Sequence, residues 1–427
     1  MSAAAASAAQ AGGVHHAEQV LFFVLLQLTV VVLAGRAGSA LARRFGQSTA
    51  VGEIVMGILL GPSLFGWLAP GLFQYVFKSA PPEPMQVLSQ IGLILLMFQI
   101  GLEFDFSHLT ERRFRRVTMA VATAGLVAPF ALGLAFGMWS APRLSPGVHP
   151  LTSGLFIATA FSITALPILG RIMIEFDLTR RPLGVIAISA AAVNDVVGWL
   201  LLAMVSALAV SRFDGASFGL NVAAVALFGA LCWWLARPLL KRLVQWGGSA
   251  ADALPNGLLG VVLACVFAGA MSTYQLGIFA IFGGFMLGVL LHDEARFVAA
   301  WKERMGQFVT VFFLPIFFTY TGLRTQIGAL DTWELWGWCL LTVALATLGK
   351  WGATYLAARA VGASGPDARV LGVMMNTRAL MELIVINVGY DLGVISPNMF
   401  TMLVIMAIFS TVITAPLLRR WLPGCKL

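Results

Sequence analysis

A carboxylate at membrane depth is costly and marks a functional site by default. Asp195 is such a group: it follows Asn194 inside the otherwise apolar run from Ser189 to Trp199. Desolvation makes any carboxylate hold its proton more firmly, toward physiological pH. An alkali cation needs oxygen ligands instead. Asp195 can supply one or two, and the Asn194 side-chain oxygen another. Ser162, Thr164 and Pro167 interrupt a second apolar run, from Ala158 to Pro167. The hydroxyls of Ser162 and Thr164, and carbonyls freed near Pro167, are further candidates. The ordinary alternative for both hydroxyls is back-bonding to helix carbonyls. Interrupted backbone at this depth is tolerated only where it lines a cavity or is buried in protein. The expected metal ligands are therefore Asp195, Asn194 and Thr164, around Na⁺ or K⁺. A proton and a metal ion would compete for one carboxylate, so antiport needs no separate coupling device. Asn194 cannot titrate. The simplest cycle thus exchanges one monovalent cation for one proton, electroneutrally, provided Lys350 stays protonated.

Three more ionisable residues lie deep in apolar segments: Lys350, Arg378 and Glu382. At a helical rise of 1.5 Å per residue, Asp195 lies about 20 Å from Arg181, and Glu382 about 20 Å from Arg369. Lys350 and Arg378 come out about 13 Å from the same side, measured from Arg359 and Arg369. All four can meet in one layer, and their formal charges cancel, as a low-dielectric site requires. Arg378 and Glu382 stand at i, i+4 and share a helix face. They either neutralise each other as a structural pair or take part in the ion path. Lys350 is either a structural partner or a functional counter-charge.

Membrane helices must position these groups. Hydrophobic residues make up 59% of the 427-residue chain and charged residues 11%, against about 25% charged in soluble domains. We count thirteen candidate spans: 19–42, 48–68, 85–104, 115–139, 151–175, 182–210, 216–238, 255–273, 276–291, 305–325, 333–358, 366–391 and 397–418. Ser272 to Gln275 would form the tight turn between the eighth and ninth. Of the 27 Lys and Arg residues, 21 gather in alternate loops and 4 in the opposite ones. That split supports an odd number of spans, with the N-terminus outside and the C-terminus in the cytoplasm. It also explains the net charge of +8 without a nucleic-acid partner. Polar interruptions in the fifth span (Ser162, Thr164, Pro167) and the twelfth (Asn376, Thr377, Arg378) suggest two inverted six-helix repeats with a midplane site.

The remaining features read as peripheral. Cys232, Cys265, Cys339 and Cys425 show neither metal-site nor disulfide spacing, and no cofactor is expected. Residues 1–18, with His15 and His16, read as a leader lacking the basic start of a cleaved signal. Glu53 and Glu103 read as interfacial anchors rather than a cation-attracting funnel. Arg324, in Gly322-Leu323-Arg324-Thr325, either caps a helix or guards the exit. Trp333, Trp336 and Trp338 form an interfacial aromatic belt. No soluble domain is expected, since the transmembrane unit spans 19–421 and residues 422–427 form a short cytoplasmic tail.

Several separated motifs, in order, resemble one family. Ser162-Ile163-Thr164-Ala165-Leu166-Pro167-Ile168-Leu169-Gly170-Arg171 and the stretch from Ser189 to Val196 resemble the monovalent cation:proton antiporter superfamily. The run from Asn376 to Val385 and the triplet Gly101-Leu102-Glu103 resemble its cation:proton antiporter-2 branch, near the plant cation/H⁺ exchangers and Kef-type membrane domains. The resemblance covers about residues 20–420. It implies an all-α polytopic protein of thirteen transmembrane helices, with crossed, discontinuous fifth and twelfth helices. It implies a homodimer working by an elevator mechanism. The dimerisation part would be about 19–104 and 216–325, and the ion-transport core about 115–210 and 333–418. It assigns ion and proton binding to Asp195 with Asn194 beside it, and the cationic partner to Lys350. Asn-Asp differs from the electrogenic pattern of two Asp, and Lys350 from the Arg common in electroneutral members, so stoichiometry stays open.

The expected function is exchange of Na⁺ or K⁺ for H⁺ across a bacterial inner membrane, serving pH homeostasis. A gated cation channel, or a Kef-like K⁺ efflux system, is the alternative. An intramembrane aspartyl protease would need a second deep catalytic Asp, and Asp391 lies at the outer end of its span.

Overall fold

Proline and polar residues cut several of the apolar runs, and the computed structural model shows where. It describes residues 2–47, 49–103, 115–176, 178, 181–210, 223–224, 226–246, 254–276, 280–378 and 380–425. The described residues are helical throughout, joined by short turns. Among the described residues seven helices are long and apolar enough to cross a membrane, or up to nine if two bent pairs each count as one span.

The first half comprises α1 (Ser2–Arg44), α2 (Thr49–Leu59), α3 (Phe65–Leu68), α4 (Pro70–Phe77), α5 (Glu83–Leu102), α6 (Arg115–Leu144), α7 (Pro150–Ser162), α8 (Leu166–Glu175) and α9 (Pro182–Val210). The second comprises α10 (Arg237–Trp246), α11 (Asn256–Gln275), α12 (Ala280–Leu290), α13 (Ala295–Trp301), α14 (Leu314–Arg324), α15 (Trp333–Ala360), α16 (Gly365–Met375), α17 (Leu380–Asp391) and α18 (Pro397–Trp421). Side chains fix several starts. Thr332 accepts from the Leu335 N–H, Ser364 from Asp367 and Ser396 from Met399, capping α15, α16 and α18.

Three expected spans come out differently. The stretch 48–68 is not one helix: α2 ends at Leu59, before the Gly61-Pro62 turn, and two short helices follow. Ser272 to Gln275 are the end of α11 rather than a turn, because Ser272 and Thr273 bond back to carbonyls of their own helix. The tenth run is a bent pair, with 43° between Ala295–Gly306 and Val309–Ala329. The start of the seventh expected span and residues 277–279 lie outside the described residues. So do Arg112, Arg113, Arg180, Arg212 and Lys426 of the charge pattern.

Packing sorts the helices into two sets. In one, α5 packs on α11, α12 and α14, while α1 packs on α2 and α14. In the other, α6 packs on α7, α9 and α15, and α16 packs on α9, α15 and α18. Small residues permit the closest approaches. A Cβ on Gly288 of α12 would stand 2.1 Å from the Phe98 carbonyl of α5.

Two interruptions face each other inside the second set. α7 stops at Ser162, and Ile163 turns extended at φ −70°, ψ 144°. Pro167 lacks the N–H that would bond the Ile163 carbonyl, so helix cannot run through. α16 stops at Met375, and α17 resumes at Leu380 at an angle of 42°. No Pro or Gly lies in that second break. Its cause is tertiary: the Ala165 N–H donates to the Thr377 carbonyl at 2.9 Å, and the Thr164 hydroxyl donates to the Met375 carbonyl at 3.2 Å. Each break supplies hydrogen bonds that the other has lost.

Candidate ion-binding site

A helix end carries a partial charge, positive at the N-terminus and negative at the C-terminus. The break after α7 therefore brings a negative end (α7) and a positive end (α8) close together in the protein interior. Fully buried side chains answer both.

At the C-terminus of α7, two cations meet the orphan carbonyls. Lys350, on α15, donates its ammonium to the Ser162 carbonyl. Arg378, just past the second break, donates to the Ala160 carbonyl at 2.9 Å and to the Ala346 carbonyl of α15 at 2.9 Å. Its guanidinium also reaches Glu382 Oε1 at 3.3 Å, with both side chains wholly buried. Arg378 thus joins α7, α15 and α17.

Toward the N-terminus of α8 lies Asp195, 1% exposed in the middle of α9. Its two carboxylate oxygens have no partner in hydrogen-bond geometry. The groups that act on them are the Lys350 ammonium and the Leu166 N–H that opens α8. Asn194 is equally buried, and both ends of its amide lack a partner.

The structure thus brings together Asp195, Lys350, Arg378 and Glu382 in one buried layer, as their spacing predicts. The hydroxyls of Ser162 and Thr164 are engaged as donors. Ser162 bonds back to the Ala158 carbonyl at 2.7 Å, and Thr164 crosses to the other break. Each hydroxyl oxygen keeps lone pairs to offer a cation. Among the described residues no cluster of three or more His, Cys, Asp and Glu could hold a metal, so any cation here depends on mixed oxygen ligands.

Sequence reasoning missed Thr354 and Gly125. Thr354 lies one turn beyond Lys350 on the same face of α15, and its buried hydroxyl has no partner. Gly125 of α6 packs against it. The i, i+4 spacing from Lys350 was the available signal.

At the other end of α17, Arg324 clasps two helices together. It pairs with Asp391 at 2.6 Å, donates to the Tyr320 hydroxyl and reaches Asn387 at 3.4 Å. Asn387 in turn donates to Thr321 at 2.9 Å. Tyr320, Asn387 and Asp391 line a crevice with Ser89 and Gln90, between α5, α14 and α17. Asp391 is accordingly half of an ion pair, and Arg324, in the last turn of α14, links that helix to α17.

Comparison with known proteins gives consistent results. The family described as "Sodium/hydrogen exchanger, transmembrane" matches residues 7–422. The Na(+)/H(+) antiporter NhaS4 of Synechocystis sp. is 38% identical over 405 residues, covering 94% of this chain and 97% of that protein. Cation/H(+) antiporter 18 of Arabidopsis thaliana is 34% identical over 402 residues, covering 92% of this chain but 48% of that protein. The chain therefore spans about half the length of the plant relative. The solved structure of the sodium proton antiporter MjNhaP1 from Methanocaldococcus jannaschii superposes with a TM-score of 0.64 at 15% identity, covering 94% of this chain and 100% of the other, a likeness of fold.

Proposed function

We propose a single-carboxylate exchange cycle for this chain, which belongs to the sodium/hydrogen exchanger family. As a member it is an integral membrane cation/proton antiporter, a secondary transporter and not an enzyme. Its substrates are H⁺ and Na⁺ or K⁺.

In the cycle, Asp195 holds either the proton or the cation. Asn194, Thr164 and Ser162 complete the cation's oxygen shell. Lys350, held at the Ser162 carbonyl, keeps its charge throughout and sets the site's resting balance. Bound cation and bound proton then leave the site with the same net charge, so the exchange is one for one and electroneutral. Arg378 and Glu382 support the layer. The observation that carries this reading is the buried Asp195 carboxylate with neither oxygen in a hydrogen bond. A buried carboxylate that has only the Lys350 charge and the Leu166 N–H acting on it is costly unless a cation or proton completes it.

The finer architecture is also part of the proposal. Thirteen spans form two inverted repeats, with the broken fifth and twelfth crossing at the site. The set holding α1, α2, α5, α12 and α14 (about 19–104 and 216–325) forms a homodimer interface. The other set (about 115–210 and 333–418) moves against it with the cargo. The N-terminus faces outward and the C-terminus the cytoplasm, in the inner membrane of a bacterium.

Proteoliposomes with a lumenal pH dye test the cycle. Added Na⁺, K⁺ or Li⁺ is expected to change lumenal pH in the parent, and Asp195→Asn to reduce that change at least a hundredfold. Parental transport by Asp195→Asn removes the site assignment.

A further inference from the structure

A buried hydroxyl on a helix ordinarily bonds back to the carbonyl one turn earlier. Thr342, on α15, does so with the Trp338 carbonyl at 2.8 Å. Thr321, Thr411 and Thr414 follow the same rule on their own helices. Thr354 is wholly buried on α15 and does not: its hydroxyl has no partner. Buried polar atoms without partners are rare and call for an explanation.

Its surroundings give one. A Cβ built on Gly125 of α6 would lie 3.1 Å from Thr354 Oγ1, 3.6 Å from the Asn194 amide nitrogen and 3.7 Å from the methyl of Met375. Two unpartnered polar side chains, from α9 and α15, therefore converge where α6 has no side chain. No hydrogen bond fixes the Asn194 amide, so a flip presents its oxygen to the same point. Lys350 and Thr354 stand at i, i+4 on one face, and Asn194 precedes Asp195. The gap over Gly125 is thus lined by the residue that precedes the carboxylate on α9. Neutral oxygens next to a carboxylate suit a cation.

We propose that Thr354 Oγ1 and the Asn194 amide oxygen are specificity-determining ligands for the transported monovalent cation, and that Gly125 sets the width of the gap it occupies. This rests on the exchange cycle above. Thr354 binds the cation and not the proton, so it affects cation affinity rather than the proton step. An alanine at position 125 narrows the gap and favours the smaller ions.

The test is transport in proteoliposomes with Na⁺, K⁺ and Li⁺ titrated separately. Thr354→Val keeps the shape and removes the oxygen. It is expected to raise the cation KM about tenfold, roughly the loss of one ligand, with the maximal rate within about twofold. Thr354→Ser is expected to restore the parental KM. Gly125→Ala is expected to lower the K⁺ over Na⁺ preference several-fold. Parental KM and parental ion order in Thr354→Val, with Asp195→Asn inactive, overturn the proposal and leave the exchange cycle standing. Absence of any cation-driven pH change in the parent overturns both. If Thr354→Val does not accumulate as folded protein, Gly125→Ala decides alone, and parental selectivity there overturns the assignment.

Discussion

Arg378 and Asp195 are buried to nearly the same degree, yet their surroundings are opposite. Arg378 is shared among two carbonyls and the Glu382 carboxylate. Asp195 has no hydrogen-bond partner on either oxygen, and neither the Asn194 amide nor the Thr354 hydroxyl has one. One region is mostly paired, with only Arg378 Nε and Glu382 Oε2 left without a hydrogen bond, and ties three helices together; the other is left open by the fold. In the proposed cycle the paired charge holds the helices together and the open one exchanges its ligand. Lys350 stands between, with one carbonyl as its partner and Asp195 as its neighbour.

Substitutions can break this comparison. Arg378→Met strands the Glu382 charge and two carbonyls, and removing one partner of a buried pair costs about 3–5 kcal/mol. A large fall in thermal stability in detergent is expected, and a parental melting temperature would undo the contrast. Lys350→Met leaves one carbonyl unsatisfied, at a cost of about 1–3 kcal/mol. A smaller fall in melting temperature is expected, together with a slower exchange rate that still carries one cation per proton. If neither rate nor voltage dependence changes, Lys350 is structural like Arg378.

The smallest effect belongs to a pair outside the membrane. Asp293, in the turn after α12, pairs with Arg237 at 2.9 Å and with Lys241. Partial burial pushes its carboxyl up, but the Lys241 hydrogen bond and the charges of Lys241, Arg237 and His292 more than offset this and hold it below the ordinary value of 3.8. The folded value being the lower one, the pair stabilises above that ordinary range and is lost as pH falls through the depressed value. The contribution of Asp293 to stability is therefore expected to be flat from about pH 5 to about pH 9. Asp293→Asn is expected to cost less than about 1 kcal/mol, read as a melting shift at neutral pH.

The carboxylate and the first interruption were legible because each has a local cause. Asp195 stands out by charge against its apolar run, and Pro167 removes a donor whatever surrounds it. The second interruption has no such mark. Asn376 and Thr377 are merely polar, and the break depends on hydrogen bonds to Ala165 and Thr164, more than 200 residues away. Thr354 carried only a weak mark, its i, i+4 spacing from Lys350, for a related reason. Its residue type is shared with Thr342, and only the three-dimensional neighbourhood shows that one hydroxyl bonds back and the other does not. The turn expected at Ser272 failed in reverse, because hydroxyls that read as a break are absorbed by their own helix.

The two interruptions are stitched to each other through Ala165 and Thr377, and Arg378 rivets the seam to α15. A cradle closed in this way can be shifted whole, like a berth that travels with its passenger. In the proposed cycle it stays closed as it moves, and throughput is then capped at one occupant per trip, however steep the gradient outside.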